Sequence, residues 1–240
     1  MRITVINPNT SQHMTDLIGQ SARGVALPGT VIDAVCPDMG PASIESHYDE
    51  ALSVPGLLAR IESAERAGAE GHVIACFGDP GLDAARELAT GPVVGIAEAA
   101  MRVATSLGRS FSVVTTLRRT CGRAWDLAER YGVRGFCAGV HACEVPVLDV
   151  DGCPELIAAT CRSVLERDGS DVLVLGCAGM TSLCAKLSAE LGVPVVDGVR
   201  SATLLVQSLV LMGLRTGKHG EFAAPPPKPY AGPLHGFGRG

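Results

Sequence analysis

Two cysteines stand at matching places in the chain. Cys76 closes the run Val73-Ile74-Ala75-Cys76-Phe77-Gly78, and Cys177 closes Val174-Leu175-Gly176-Cys177-Ala178-Gly179. Each run reads as a buried strand that ends in Cys-x-Gly at the mouth of a helix, where unpaired amides and the helix dipole favour an anion. That placement predicts thiols with pKa values below the free value of about 8.5, able to serve as bases near neutral pH. The glycine two residues on lets a ligand approach the backbone, whose N–H groups can stabilise a developing oxyanion. Two such thiols on opposite faces of a planar carbanion could take a proton from one face and return one to the other.

For the cysteines to face each other, the elements that carry them must be duplicated, and the sequence contains such a repeat. Val5 and Val113, Cys76 and Cys177, and Pro92 and Pro194 recur in the same order at offsets of 108, 101 and 102 residues. Apolar, β-branched runs at 3–6, 31–35, 72–76, 92–96, 111–115, 171–175 and 193–196 predict strands. Between them, 14–25, 48–67, 82–88, 97–107, 123–131, 156–167, 183–191 and 201–211 carry helical spacing. The alternation predicts an α/β fold of two pseudo-symmetric lobes, each a mostly parallel sheet flanked by helices, with the site in the cleft between them at the carboxyl ends of strands. The expected division is an N-terminal lobe over 1–108, joined by a C-terminal helix at 201–215, and a second lobe over 109–200. The Pro/Gly-rich tail at 223–240 reads as an extended or disordered arm.

Composition removes several classes of function. The 240 residues are 47% hydrophobic but only 4% aromatic, as suits a core of aliphatic parallel strands. A net charge of −5 with no basic cluster argues against nucleic acid and anionic membranes as partners. The longest apolar stretches fall short of the roughly 20 residues that a membrane helix needs. Residues 1–6 carry no export signal, so the expected location is cytoplasmic. Nine cysteines, odd in number and irregular in spacing, do not form a disulfide framework.

The segments Ile6-Asn7-Pro8-Asn9-Thr10-Ser11, Ala75-Cys76-Phe77-Gly78-Asp79-Pro80-Gly81-Leu82-Asp83 and Leu175-Gly176-Cys177-Ala178-Gly179-Met180 resemble the hydantoin racemases, of the aspartate/glutamate/hydantoin racemase group. Gly40-Pro41-Ala42-Ser43-Ile44-Glu45, Val94-Gly95-Ile96-Ala97-Glu98-Ala99 and Val114-Thr115-Thr116-Leu117 extend the likeness over nearly the whole chain. The resemblance implies a racemase that needs neither cofactor nor metal, with Cys76 and Cys177 as opposed acid and base. It also implies a pocket of Asn9, Thr10, Pro41, Ile44, Phe77, Gly78, Thr115, Thr116, Ala178 and Gly179 around a cyclic ureide, in a homo-oligomer. Two departures stand out. Arg118 replaces a proline of similar sequences and is the one cation expected near the pocket mouth, and 137–147 fits the family poorly.

Acidity ranks the substrates. The C5–H of a hydantoin lies between a carbonyl and a ring nitrogen, so thiolates can remove it without a cofactor, whereas a free amino acid is far harder to deprotonate. A 5-substituted hydantoin is the expected substrate, with allantoin, itself such a compound, as the alternative. A related amino-acid racemase, cis-trans isomerase or decarboxylase, or a non-enzymatic binding module, ranks lower. Blander roles fall to other residues. Cys137, His141 and Cys143 lack the spacing of a zinc site and read as an irregular strand and loop, and Cys184 reads as core. Asp79 and Asp83 read as capping partners, unless Asp79 faces the thiol and keeps it protonated. Glu45 and His47 fall on a loop that either covers the pocket or lies on the surface.

Overall fold

In the computed structural model, which describes residues 1–238, the chain forms two four-stranded parallel sheets. The first contains β1 (Arg2–Ile6), β2 (Val31–Val35), β3 (Gly71–Ile74) and β4 (Val93–Gly95) in the order β2-β1-β3-β4. The second contains β5 (Phe111–Thr115), β6 (Cys137–Ala142), β7 (Val172–Gly176) and β8 (Val195–Val196) in the equivalent order β6-β5-β7-β8. Helices α1 (Gln12–Arg23), α2 (His47–Arg66), α3 (Leu82–Leu88) and α4 (Ile96–Ala104) follow the strands of the first sheet in turn. Helices α5 (Cys121–Arg130), α6 (Pro154–Asp168), α7 (Cys184–Leu191) and α8 (Gly198–Leu211) follow those of the second.

Strand register carries the repeat into three dimensions. Val5 pairs with Val73 and Val73 with Val94, while Val113 pairs with Val174 and Val174 with Val196. These partners are separated by the same 108, 101 and 102 residues that the sequence repeat predicts, so the two sheets are superimposable in connectivity and in pairing. The expected α/β architecture of two similar lobes is the one observed.

Strand β6 is not among the apolar runs, but it is the irregular strand expected around Cys137, His141 and Cys143. Its sequence, Cys-Ala-Gly-Val-His-Ala, is poor in β-formers, and it lies at a sheet edge with a register shift between Phe111 and Ser112 of its partner. Pairing with β5 rather than intrinsic propensity makes it a strand. The Cys137, His141 and Cys143 side chains do not converge there. His141 pairs with Asp168 at 2.7 Å, while the two thiols turn to the carbonyls of Gly139 and Thr116.

Three apolar clusters fill the molecule. One joins Ile74 of the first sheet to Phe111 and Val113 of the second through Ala97, Ala100 and Met101 of α4. The second lies between β1, β3, α1 and α8, and the third within the second sheet and α6. Helix α8 therefore crosses back to the first sheet, where a Cβ on Gly71 of β3 would lie 2.5 Å from Val206 Cγ1. The tail is not an isolated arm within the described residues. Thr216 Oγ1 donates to the Gly91 carbonyl, Phe222 lies under Arg86, and residues 225–237 border a groove with α2 and α3.

Because α8 touches β3 with no space at Gly71, Gly71→Ala should destabilise the protein by about 1–3 kcal/mol through overpacking. A urea midpoint unchanged from that of the parent would show that α8 is free to shift.

Candidate functional site: a cleft between two strand-end cysteines

In each sheet the chain moves from its first strand to one neighbour and then back across to the other, so the connections diverge between β1 and β3 and between β5 and β7. Such switch points leave a crevice at the carboxyl ends of the strands. The two crevices face each other and form one cavity of about 70 Å³. From the first sheet come Asn7 and Asn9 after β1 and Ala75, Cys76, Phe77 and Gly78 after β3. From the second come Thr115 and Thr116 after β5 and Gly176, Cys177 and Ala178 after β7.

Both thiols open only partly to the cavity and lie deep in the protein. Burial pushes Cys76 up to about 12 and Cys177 up to about 11. The Gly78 and Gly179 amides donate towards the respective sulfurs and pull the other way, without offsetting desolvation. The lowered pKa values expected from strand-end position are therefore not those of the free site. The amides expected to meet a substrate oxyanion are turned instead to the sulfurs, where they stabilise a thiolate once it forms. Nearby negative charge, from Asp79 and Glu50 at Cys76 and from Glu45 at Cys177, adds to the upward shift.

Asn9 is buried and its amide oxygen is occupied by Asn7 Nδ2 at 2.7 Å and the Ser11 amide at 2.9 Å. Among the described residues its NH₂ group meets only Met14 Sδ, at 3.4 Å, a weak acceptor. Asn9 thus presents a donor to the cavity with capacity to spare. Ile44, Phe77, Gly78, Thr115, Thr116 and Ala178 also line the cavity, as expected. Thr10, Pro41 and Gly179 stand behind that lining. The Thr10 amide and hydroxyl donate to the Pro41 carbonyl at 3.0 and 3.4 Å and fasten the β1–α1 turn to the loop of residues 40–46. At Gly179 a side chain would collide with Val150 Cγ2 at 2.6 Å.

The charged wall is richer than pattern reasoning foresees. Arg119 and Arg123 reach the cavity and Arg118 does not, because the 3-10 turn that leads into α5 sends successive side chains in different directions. Glu50 of α2 pairs with Arg123 at 2.7 Å, and burial raises its pKa against the pull of Arg123 and His47. Glu45 and His47 both line the cavity, and Glu45 Oε1 accepts from the Val147 amide of the second lobe at 2.7 Å. Glu50 and Arg123 lie within unremarkable amphipathic helices, so no local signal marks them. Among the described residues, no group of three or more His, Cys, Asp or Glu side chains is arranged to hold a metal ion. No helix among them is long and apolar enough to cross a membrane.

Residues 3–206 match the family described as Asp/Glu/Hydantoin racemase. The chain belongs to that family. It is an isomerase of the racemase type, with hydantoin racemases among its relatives at full length. That of Pseudomonas sp. (strain NS671) is 43% identical over 100% of this chain and 98% of the relative, and that of Rhizobium meliloti is 44% identical over 97% and 98%. A solved allantoin racemase from Klebsiella pneumoniae superimposes with a TM-score of 0.97 at 50% identity, covering 99% of each chain.

Since both cavity thiols are protonated at neutral pH, alkylation of Cys76 and Cys177 by iodoacetamide should rise about tenfold per pH unit through pH 10 in the native protein. In urea the same peptides, read by mass spectrometry, should level off near the ordinary cysteine pKa. The raised native pKa values give a stability contribution that is complete below about pH 8.5 and is lost as pH climbs through 11 to 12. A native plateau below pH 8 would contradict the desolvation argument.

Proposed function

We propose that this chain is a cofactor-independent racemase of 5-substituted hydantoins, with Cys76 and Cys177 exchanging roles as base and acid. The observation that carries the reading is that the two cysteines end equivalent strands of the two lobes and border one cavity. In one direction the Cys76 thiolate takes the C5 proton and becomes a thiol, and the electron pair of the C–H bond spreads into the adjoining ring carbonyl. The Cys177 thiol then delivers its proton to the opposite face and is left as the thiolate. The reverse reaction starts from that protonation state, and the two enzyme forms interconvert by proton exchange with water.

The amides and hydroxyls of Asn7, Asn9, Thr115 and Thr116 suit a neutral ring. The spare Asn9 donor fits a ureide carbonyl, and the threonines can accept from ring N–H groups. The high thiol pKa values mean that forming the thiolate is part of the barrier, so kcat/KM should climb with pH above neutrality. The acidity of the hydantoin C5–H makes this tolerable, whereas the α-proton of a free amino acid would demand a stronger base.

Allantoin is the second reading within the same class. It is favoured by the 50% identity to the Klebsiella pneumoniae allantoin racemase and by the polar wall of Arg119, His47 and Glu50, which suits a ureido substituent better than an aromatic one. The exposed Leu211, Met212 and Leu214 at the end of α8 support assembly as a homo-oligomer.

Polarimetry of L-5-benzylhydantoin and (S)-allantoin in deuterium oxide, with a thiol reductant, tests chemistry and substrate together. Rotation should decay with one C5 deuteron gained per racemised molecule, and the faster compound identifies the preferred substituent. Cys76→Ser and Cys177→Ser should each abolish racemisation, each keeping C5 exchange with one enantiomer only. Equal exchange of both enantiomers by both variants would defeat the two-base assignment.

A further inference from the structure

The turn that bears Cys76 is gripped from the other lobe. Asp79, three residues after the cysteine, is almost completely buried and holds a left-handed backbone with φ of 44°. Its amide donates to the Cys76 carbonyl at 3.0 Å and closes the turn. Its carboxylate leaves the turn altogether: it accepts from Ala97 N at 3.1 Å and Glu98 N at 2.9 Å, the first turn of α4, rather than capping the nearer α3. Gly95, which precedes α4, is glycine because the Asp79 carboxylate occupies the space a side chain would need. From the second lobe, Tyr131 at the end of α5 donates its hydroxyl to the same carboxylate at 2.6 Å. Eight residues earlier on the same helix, Arg123 donates to the Gly78 carbonyl at 3.1 and 2.7 Å.

The cysteine of the second lobe is supported differently. Asp197 caps α8 directly through Val199 N and Arg200 N, and Thr181 of the Cys177 turn donates to it. Ser21 of α1, in the first lobe, also donates to Asp197 at 3.1 Å and accepts from Thr181 at 2.6 Å, so this turn too is tied across the lobes, but through Ser21 and not through Tyr131. A loss at Tyr131 therefore reaches one thiol and spares the other.

We propose that Asp79 and Tyr131 are positioning residues for proton transfer, a clasp between the lobes that sets the Cys76 thiol against the substrate face opposite Cys177. The proposal rests on the two-cysteine reading above. It assigns the pair no contact with substrate. The groups around the Asp79 carboxylate are Tyr131 and Arg130 from α5, Glu98 from α4 and Cys76 from its own turn. Burial pushes Asp79 up to about 6, while the Tyr131 hydroxyl and the two α4 amides hold it down. Protonation in mild acid removes the charge that those donors bind, so the clasp loosens as pH falls through that value.

Tyr131→Phe keeps the ring and removes the hydroxyl. It should lower kcat for racemisation by about tenfold or more with KM within about twofold, since small misplacement of a reacting group costs rate rather than binding. It should also move the acid limb of kcat to higher pH, and Asp79→Asn, which has no proton to gain, should lack that limb at a lower plateau. Site-resolved alkylation is the arm that does not depend on the racemase reading. In Tyr131→Phe the rate at Cys76 should change by about threefold or more while that at Cys177 stays as in the parent. An unchanged Cys76 rate, or equal changes at both thiols, overturns the clasp, as does a Tyr131→Phe enzyme with parental kcat and acid limb. A parent protein that racemises neither ureide, but shows the selective change at Cys76, would sink the racemase reading and leave the clasp standing.

Discussion

Holding two thiols across one small cavity requires a rigid seam between sheets that share no strand, and α4 supplies it. Its Ala97, Ala100 and Met101 are buried in one cluster with residues of both sheets, Ile74 and Val93 of the first and Val172 and Val174 of the second. Burying a Met or Phe side chain is worth about 1.5–3 kcal/mol, so this one helix anchors the lobes more firmly than any single polar contact between them. The small alanines let the backbones approach closely, and the seam is correspondingly short. The polar ties then set direction. Tyr131 to Asp79, Arg123 to Gly78 and Glu50, and Glu45 to Val147 all run between lobes around the rim of the cleft.

The same seam explains the electrostatics. The packed lobes bury both sulfurs, and desolvation outweighs the amides directed at each, so both thiols rest protonated. A site of two neutral thiols, neutral amides and hydroxyls receives a neutral ring without burying a net charge, which is costly in a confined space. Among the ionic groups of the lining, Arg123 partners Glu50, Glu45 accepts from the Val147 amide, and Arg119 and His47 remain exposed to solvent.

The two lobes solve one packing problem with different residues. Each needs an acceptor at the N-terminus of its fourth helix. The second lobe places Asp197 at the cap position itself, whereas the first has Gly95 there and imports Asp79 from the cysteine turn. Duplication therefore preserved the geometry of the cap and left the side chain that fills it free to differ; each cap is joined to a cysteine turn, directly through Asp79 in the first lobe and by way of Thr181 in the second.

The sequence by itself determined the repeat, the strand and helix order, with β6 only as an irregular strand of unstated bounds, and the pair Cys76 and Cys177, because alternating apolar periods and strand-end motifs are local signals that a duplicated unit states twice. Asn9, Phe77 and Thr115 were expected through the family resemblance, and they line the cavity because they follow the carboxyl ends of β1, β3 and β5. Tertiary structure alone decided the rest. Strand β6 exists through pairing with β5, not through propensity; Glu50, Arg119 and Arg123 join the cavity only because α2 and α5 are brought to its rim. The pKa values were misread from local position, since a helix start lowers a thiol pKa while burial between two sheets raises it, and burial is a property of the assembled lobes. Asp79 reads as a cap for the helix that follows it, yet it caps α4 and meets Tyr131, since hydrogen-bond partners are set by proximity in the fold and not along the chain.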